Sequence, residues 1–100
     1  MVKIFSYGTL WQTDVQLNTF GTTFSVDNDM DYISGWDIIK LKMYGETHSV
    51  AVQGESIVMG AIVEVPDNLL DKVDEYEGKE YKRISITTLT GTDCQMYVKR

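Results

Sequence analysis

Short runs of β-branched and aromatic residues, broken by glycines and polar clusters, recur along the chain, and only one stretch switches to helical spacing. Residues 2–7, Val2-Lys3-Ile4-Phe5-Ser6-Tyr7, are strand formers that stop at Gly8, where the backbone is free to turn. They predict a first strand ending in a loop. Residues 11–34 are dense in Thr, Asn, Asp and Gly, with scattered Val15, Leu17 and Phe20, and read as loop with one short helix over 14–18. Residues 36–44 and 48–53 are expected as two strands joined by a turn at Gly45-Glu46. A further strand is expected over 57–65, with Gly60 marking a bulge or a close backbone approach. The tail reads as a hairpin, strands 81–89 and 94–99 around Thr90-Gly91-Thr92-Asp93.

The helical stretch opens at Pro66-Asp67 and closes before Gly78, which is placed to cap it. At about 100° per residue, Leu69, Leu70, Val73 and Tyr76 share one arc, and Glu77 falls inside it between Val73 and Leu70. Asp71, Lys72 and Glu75 point away, and Asp74 lies at the edge. A carboxyl held against apolar neighbours, at the negative end of the helix dipole, is costly to ionise. Its pKa should rise, which suits a group that accepts and returns a proton near neutral pH. The competing reading is a helix frayed at Tyr76, with Glu77 in solvent. Strands with one inserted helix predict an α+β fold. We expect a small, curved, mostly antiparallel sheet or partly closed β-barrel on one or two helices, as one domain over residues 1–100.

Composition narrows the function. Fifteen acidic against nine basic residues give a net charge of −6, and the basic residues form no stripe. Such a surface repels phosphate backbones and anionic lipid, so neither nucleic acid nor membrane is an expected partner. No apolar stretch approaches the roughly 20 residues of a bilayer span, and residues 1–7 lack a signal-peptide pattern. With Cys94 as the lone cysteine, a soluble chain in a reducing, cytoplasmic setting is expected. Composition leaves the oligomeric state open.

Candidate chemistry is sparse. Asp27-Asn28-Asp29-Met30-Asp31 begins like a calcium loop, but Tyr32 stands where the turn glycine is required and Ile38 where the bidentate glutamate is. A single His48 and a single Cys94 cannot build the usual zinc cages, and His48-Ser49 has no partner pattern for a triad. Trp11 and Trp36 fit core or rim packing. The segment Phe5-Ser6-Tyr7-Gly8-Thr9-Leu10 sets a glycine and a hydroxyl directly after a strand, where successive backbone N–H groups can face a carboxylate or carbonyl oxygen.

Three segments together resemble the γ-glutamylcyclotransferase-like family. They are Tyr7-Gly8-Thr9-Leu10 after the first strand, Gly60-Ala61-Ile62-Val63-Glu64-Val65, and Val73-Asp74-Glu75-Tyr76-Glu77-Gly78 followed by Tyr81-Lys82-Arg83; Tyr97 is placed as the family's late tyrosine. The resemblance implies release of 5-oxoproline and an amine from a γ-glutamyl amine or peptide, with no metal or other cofactor. It implies Glu77 as the catalytic acid and base, the backbone of Tyr7, Gly8, Thr9 and Leu10 as the substrate cradle, and Tyr81 and Tyr97 beside them. Residues 11–53 match only loosely. Trp11-Gln12-Thr13-Asp14 replaces a basic residue, a glycine and an asparagine of many small relatives. The sequence closes at Lys99-Arg100, so the C-terminal lid of longer relatives is expected to be missing and the pocket more open. These departures motivate an alternative, a protein of the same fold that captures a small metabolite or signal without turning it over. A third reading is an interaction module using exposed strand edges.

Overall fold

The first apolar run becomes β1 (Val2–Ser6), and the chain leaves the sheet at Tyr7, one residue earlier than its strand propensity predicts. In this computed structural model, which describes residues 1–100, β1 is followed by α1 (Thr13–Phe20), β2 (Ser25–Val26), β3 (Asp31–Met43) and β4 (Glu46–Val65). A 3-10 turn (Asp67–Leu69) then leads into α2 (Leu70–Glu77), β5 (Tyr81–Thr87) and β6 (Asp93–Lys99).

The six strands form one sheet in the order β2-β4-β1-β6-β5, with β3 also paired to β4. Every pairing is antiparallel except that of β1 with β6. Of the two expected shapes, the open sheet is the one formed; β2 and β5 end its path and do not meet. The α+β class and its two helices stand as expected.

The two strands expected over 48–53 and 57–65 are one twenty-residue strand, β4. It runs through Gly54 because the irregularity is absorbed as a bulge inside the strand, with Gly54-Glu55-Ser56 facing Gly35 alone. The register shifts between the pairs Ser34–Ile57 and Trp36–Gln53, where Gly35 adopts φ +85° opposite three residues of β4, so the bulge lies at 54–56 of β4 and not at Gly60. Gly54 accommodates the Asp37 side chain, whose Oδ2 would lie 1.9 Å from any Cβ at that position. Gly60 is the close approach: a Cβ would meet the Phe5 ring at 2.6 Å and the Ser6 carbonyl oxygen at 2.7 Å.

The β3–β4 turn is Tyr44-Gly45, both at positive φ (54° and 78°), between the paired Met43 and Glu46. This two-residue geometry suits the twist of a hairpin and sits one residue earlier than expected. In the segment read as loop, α1 exceeds its predicted length and ends at Gly21, in the left-handed conformation with its N–H returned to the Leu17 carbonyl. β2 and the start of β3 occupy the remainder, and β5 stops at Thr87.

Alternation along β1 and β4 sends Phe5 and Ile62 to one side of the sheet and Ile4 and Val63 to the other. Phe5 and Ile62 pack with Ile33, Val58 and Met96. Ile4 and Val63 pack with Leu10, Phe24, Val65, Tyr97 and the inward residue of α2, Val73. The centre of the sheet is therefore covered on both faces, and the end of β1 opens beside the C-terminus of α2. No helix is long and apolar enough to cross a membrane.

Candidate active site

The β1–β4 pairing ends at Ser6 and Ala61, while β4 itself continues toward the β3 hairpin. Tyrosine hydroxyls meet that strand farther on, at Ala51 and Ser49. The Ala51 N–H donates to the Tyr7 hydroxyl at 3.2 Å, and Tyr7 donates to the Tyr97 carbonyl at 2.6 Å. Farther along, the Tyr81 hydroxyl donates to the Ser49 carbonyl at 3.3 Å. Burial pushes the ionisation of both hydroxyls upward, so they are neutral donors and acceptors.

The loop after Tyr7 is fastened by its carbonyls. The Gln12 N–H donates to the Thr9 carbonyl at 3.0 Å, and Gln16 Nε2 donates to the Leu10 carbonyl at 2.8 Å. Gln16 Oε1 accepts the Phe24 N–H at 2.8 Å, which satisfies this buried amide at both ends. The amide N–H groups of Tyr7, Gly8, Thr9 and Leu10 donate to no protein acceptor. A backbone donor left without an internal partner is uncommon, and four in succession form an anion-accepting surface. Thr9 Oγ1 pairs with the Tyr76 hydroxyl at 2.6 Å, tying the loop to α2.

The helix α2 holds through Glu77 and ends at Gly78, with φ +93° and its N–H returned to the Asp74 carbonyl at 3.0 Å. That ending keeps Glu77 half-buried against the body instead of frayed into solvent. Burial, and secondarily the negative charge of Asp74, pushes the Glu77 carboxyl up to about 7. Asp74 behaves oppositely. Burial pushes its carboxyl up, but hydrogen bonds from Arg83 and Tyr97, with the Arg83 charge, outweigh this and hold it below the usual carboxylate range.

Glu77, Tyr7, Gly8, Thr9, Leu10, Tyr81 and Tyr97 all border one cleft of about 530 Å³, a size suited to a small metabolite. Its opposite wall is the β3–β4 hairpin tip, Tyr44 and Glu46 to Ser49, with the Tyr44 hydroxyl donating to Glu80 Oε1 at 3.2 Å. The contributions differ from the residue types alone. The Leu10 side chain is in the core, so only its backbone is available to the cleft. The Tyr97 hydroxyl is committed to Asp74 at 2.5 Å. Sequence reading missed Gln16, whose partners are six and eight residues away with no shared motif, and the hairpin wall, which only the β3–β4 register brings across. It also underrated Asp74, placed at the edge of the helical arc. No group of three or more His, Cys, Asp or Glu side chains converges as a metal site.

In this α+β domain an open sheet has a central strand that ends in an amide-rich loop, and the loop shares one cleft with a glutamate of raised pKa. The family model for Gamma-glutamyl cyclotransferase, AIG2-like, matches residues 4–100, and the chain belongs to that family. Solution structures of two Arabidopsis thaliana proteins share the fold, with TM-scores of 0.80 and 0.77 at 21% and 20% identity. Each alignment covers 98% of this chain, and 68% and 61% of those chains respectively. A structure named Gamma-glutamyl cyclotransferase has a TM-score of 0.74 at 16% identity, covering 99% of this chain and 66% of the other. At these identities the likeness is one of fold. No curated protein matches the sequence significantly.

Proposed function

We propose that this domain is a cyclotransferase that converts a γ-glutamyl amine or peptide into 5-oxoproline and a free amine. The observation that carries this reading is Glu77, half-buried with its carboxyl pushed up to about 7, sharing a cleft with four uncommitted backbone amides. The substrate's α-amine nitrogen attacks its own γ-carbonyl carbon, closing a five-membered lactam, and Glu77 accepts the proton that nitrogen gives up. The oxyanion that develops, and the glutamyl carboxylate, are met by the amides of Tyr7, Gly8, Thr9 and Leu10. As the γ-carbon to nitrogen bond breaks, Glu77 returns its proton to the leaving amine. A carboxyl titrating near neutrality populates both forms needed for the two steps.

The charges around the cleft bear on the leaving amine. Glu46, Glu77, Glu80 and His48 border it, and no lysine or arginine does. An anionic leaving group therefore finds no fixed cation, whereas neutral or cationic amines are accommodated.

Assaying 5-oxoproline release across a panel of γ-glutamyl amines and peptides tests the reading. Glu77→Gln is expected to lower kcat/KM by about 10²–10⁴-fold while the protein still unfolds cooperatively. Full activity in that variant, or no product from any member of the panel, sinks the proposal. The segment Trp11-Gln12-Thr13-Asp14 favours a second reading, in which the cleft captures a small molecule without turning it over. Calorimetry that shows stoichiometric binding of a ligand recovered unchanged separates that reading from the first.

A further inference from the structure

Beneath the cleft, one carboxylate ties three elements together. Asp74, one turn before Glu77 on α2, accepts Arg83 Nε of β5 at 2.7 Å, Arg83 Nη2 at 3.2 Å, and the Tyr97 hydroxyl of β6 at 2.5 Å. Arg83 also donates to Gln95 Oε1. The Tyr97 carbonyl accepts the Tyr7 hydroxyl, so a continuous chain of bonds and backbone links Arg83 to the start of the amide-rich loop.

Neither Asp74 nor Arg83 borders the cleft. Both line a broader, more open groove of about 740 Å³, and Gly78, Tyr81 and Tyr97 are common to the two hollows. Asp74 and Arg83 therefore act on the chemistry only through what they hold.

Residues three apart on a helix lie about 5–6 Å from one another, which places an ionised Asp74 next to Glu77. The other titratable groups around Glu77 are Tyr7 on β1, Tyr81 on β5 and Tyr97 on β6, with Glu46, His48 and Glu80 along the same cleft. The tyrosines are uncharged at neutral pH. Asp74 is thus the charged neighbour that raises the Glu77 proton affinity, and Arg83 is the counter-charge bound to it.

We propose that Arg83 is a positioning residue for Glu77: it holds Asp74 ionised and locked to Tyr97, and so sets how readily Glu77 takes up a proton. The role rests on the reading of Glu77 as acid and base. Asp74→Asn removes the neighbouring negative charge and nearly preserves shape, so Glu77 should release its proton at lower pH. Arg83→Gln leaves Asp74 without its counter-charge, so Glu77 should hold its proton to higher pH. Arg83→Lys should restore the original behaviour.

The test is a titration of the Glu77 side-chain carboxyl carbon by NMR in the whole domain, for the unsubstituted chain and these three variants, beside the acidic limb of kcat/KM. Opposite displacements of about half to one pH unit, with recovery in Arg83→Lys, are expected. A purely structural pair would lower stability and leave the midpoint unmoved, or move it the same way in both variants; either result overturns the proposal. Should Arg83→Gln not fold, Asp74→Asn and Arg83→Lys suffice, since an unchanged midpoint in Asp74→Asn is equally decisive. If the midpoints move as expected while no variant releases 5-oxoproline, the coupling stands and the cyclotransferase reading falls.

Discussion

Ionising Glu77 is harder in the folded chain than in the unfolded one, so proton binding at this carboxyl is linked to stability. Its midpoint is about 7 when folded and about 4.5 when unfolded. Between these pH values the folded state holds more protons, and stability therefore falls as pH rises through the window. The full gap corresponds to roughly 3 kcal/mol as an upper figure. Glu77→Gln, which never ionises, should be more stable than the unsubstituted chain by up to that amount at pH 8.5 and little different at pH 4.5. Urea midpoints at the two pH values check this, and an unchanging difference would mean that Glu77 does not titrate as a buried group. Gly8 gives a second expectation. It shows no left-handed φ, and a Cβ there would have nothing within 4 Å. Gly8→Ala should fold at least as well, by a few tenths to about 1 kcal/mol, yet lose activity by placing a methyl in the cleft. Denaturation and kcat/KM measured on one preparation separate the two effects. Glu77 was legible because helical spacing alone puts it among Leu70 and Val73. Gln16 was not, because its role depends on the Leu10 carbonyl and the Phe24 amide meeting it in space.

At the scale of elements, strand and helix types followed the residue pattern, but continuity did not. Glycine reads as an interruption, and Gly54 is instead a place where β4 bulges opposite Gly35 and continues past the Asp37 side chain. Which of two paired strands absorbs an irregularity depends on the register, and register is a property of the pair. Gly60 shows the same limit from the other side: the residue was noticed, but whether it marks a bulge or a close approach depends on Phe5 and Ser6 across the β1–β4 pair. A methyl there collides with the Ser6 carbonyl oxygen at 2.7 Å, and backbone cannot swing aside as a side chain can. Gly60→Ala should therefore cost about 1–3 kcal/mol, read as a lowered urea midpoint, in contrast to Gly8→Ala. Because β1 leads directly into the Tyr7 loop, the same change should also weaken activity.

Across the whole molecule, the site is assembled from opposite ends of the chain, the β1 loop, the hairpin tip at Tyr44 and the end of α2, so its contents were only partly legible. The motifs around Tyr7 and Glu77 were readable; the hairpin wall needed the fold. That wall brings Glu46, and through Tyr44 the carboxylate of Glu80, to the cleft of a chain whose net charge is −6, and sets an expectation for substrate charge. Among γ-glutamyl amides of matched length, one ending in a second amine should be turned over about tenfold better than one ending in a carboxylate at low ionic strength. Added salt should narrow the ratio, and steady-state assays of the two compounds at several salt concentrations check it. The tyrosine hydroxyls that meet Ser49 and Ala51 along β4 carry a further consequence. They occupy hydrogen-bonding positions that a strand from another chain would otherwise take, so the edge of β4 at Ser49 to Ala51 is guarded against strand addition, and the cleft beside it stays open to small molecules.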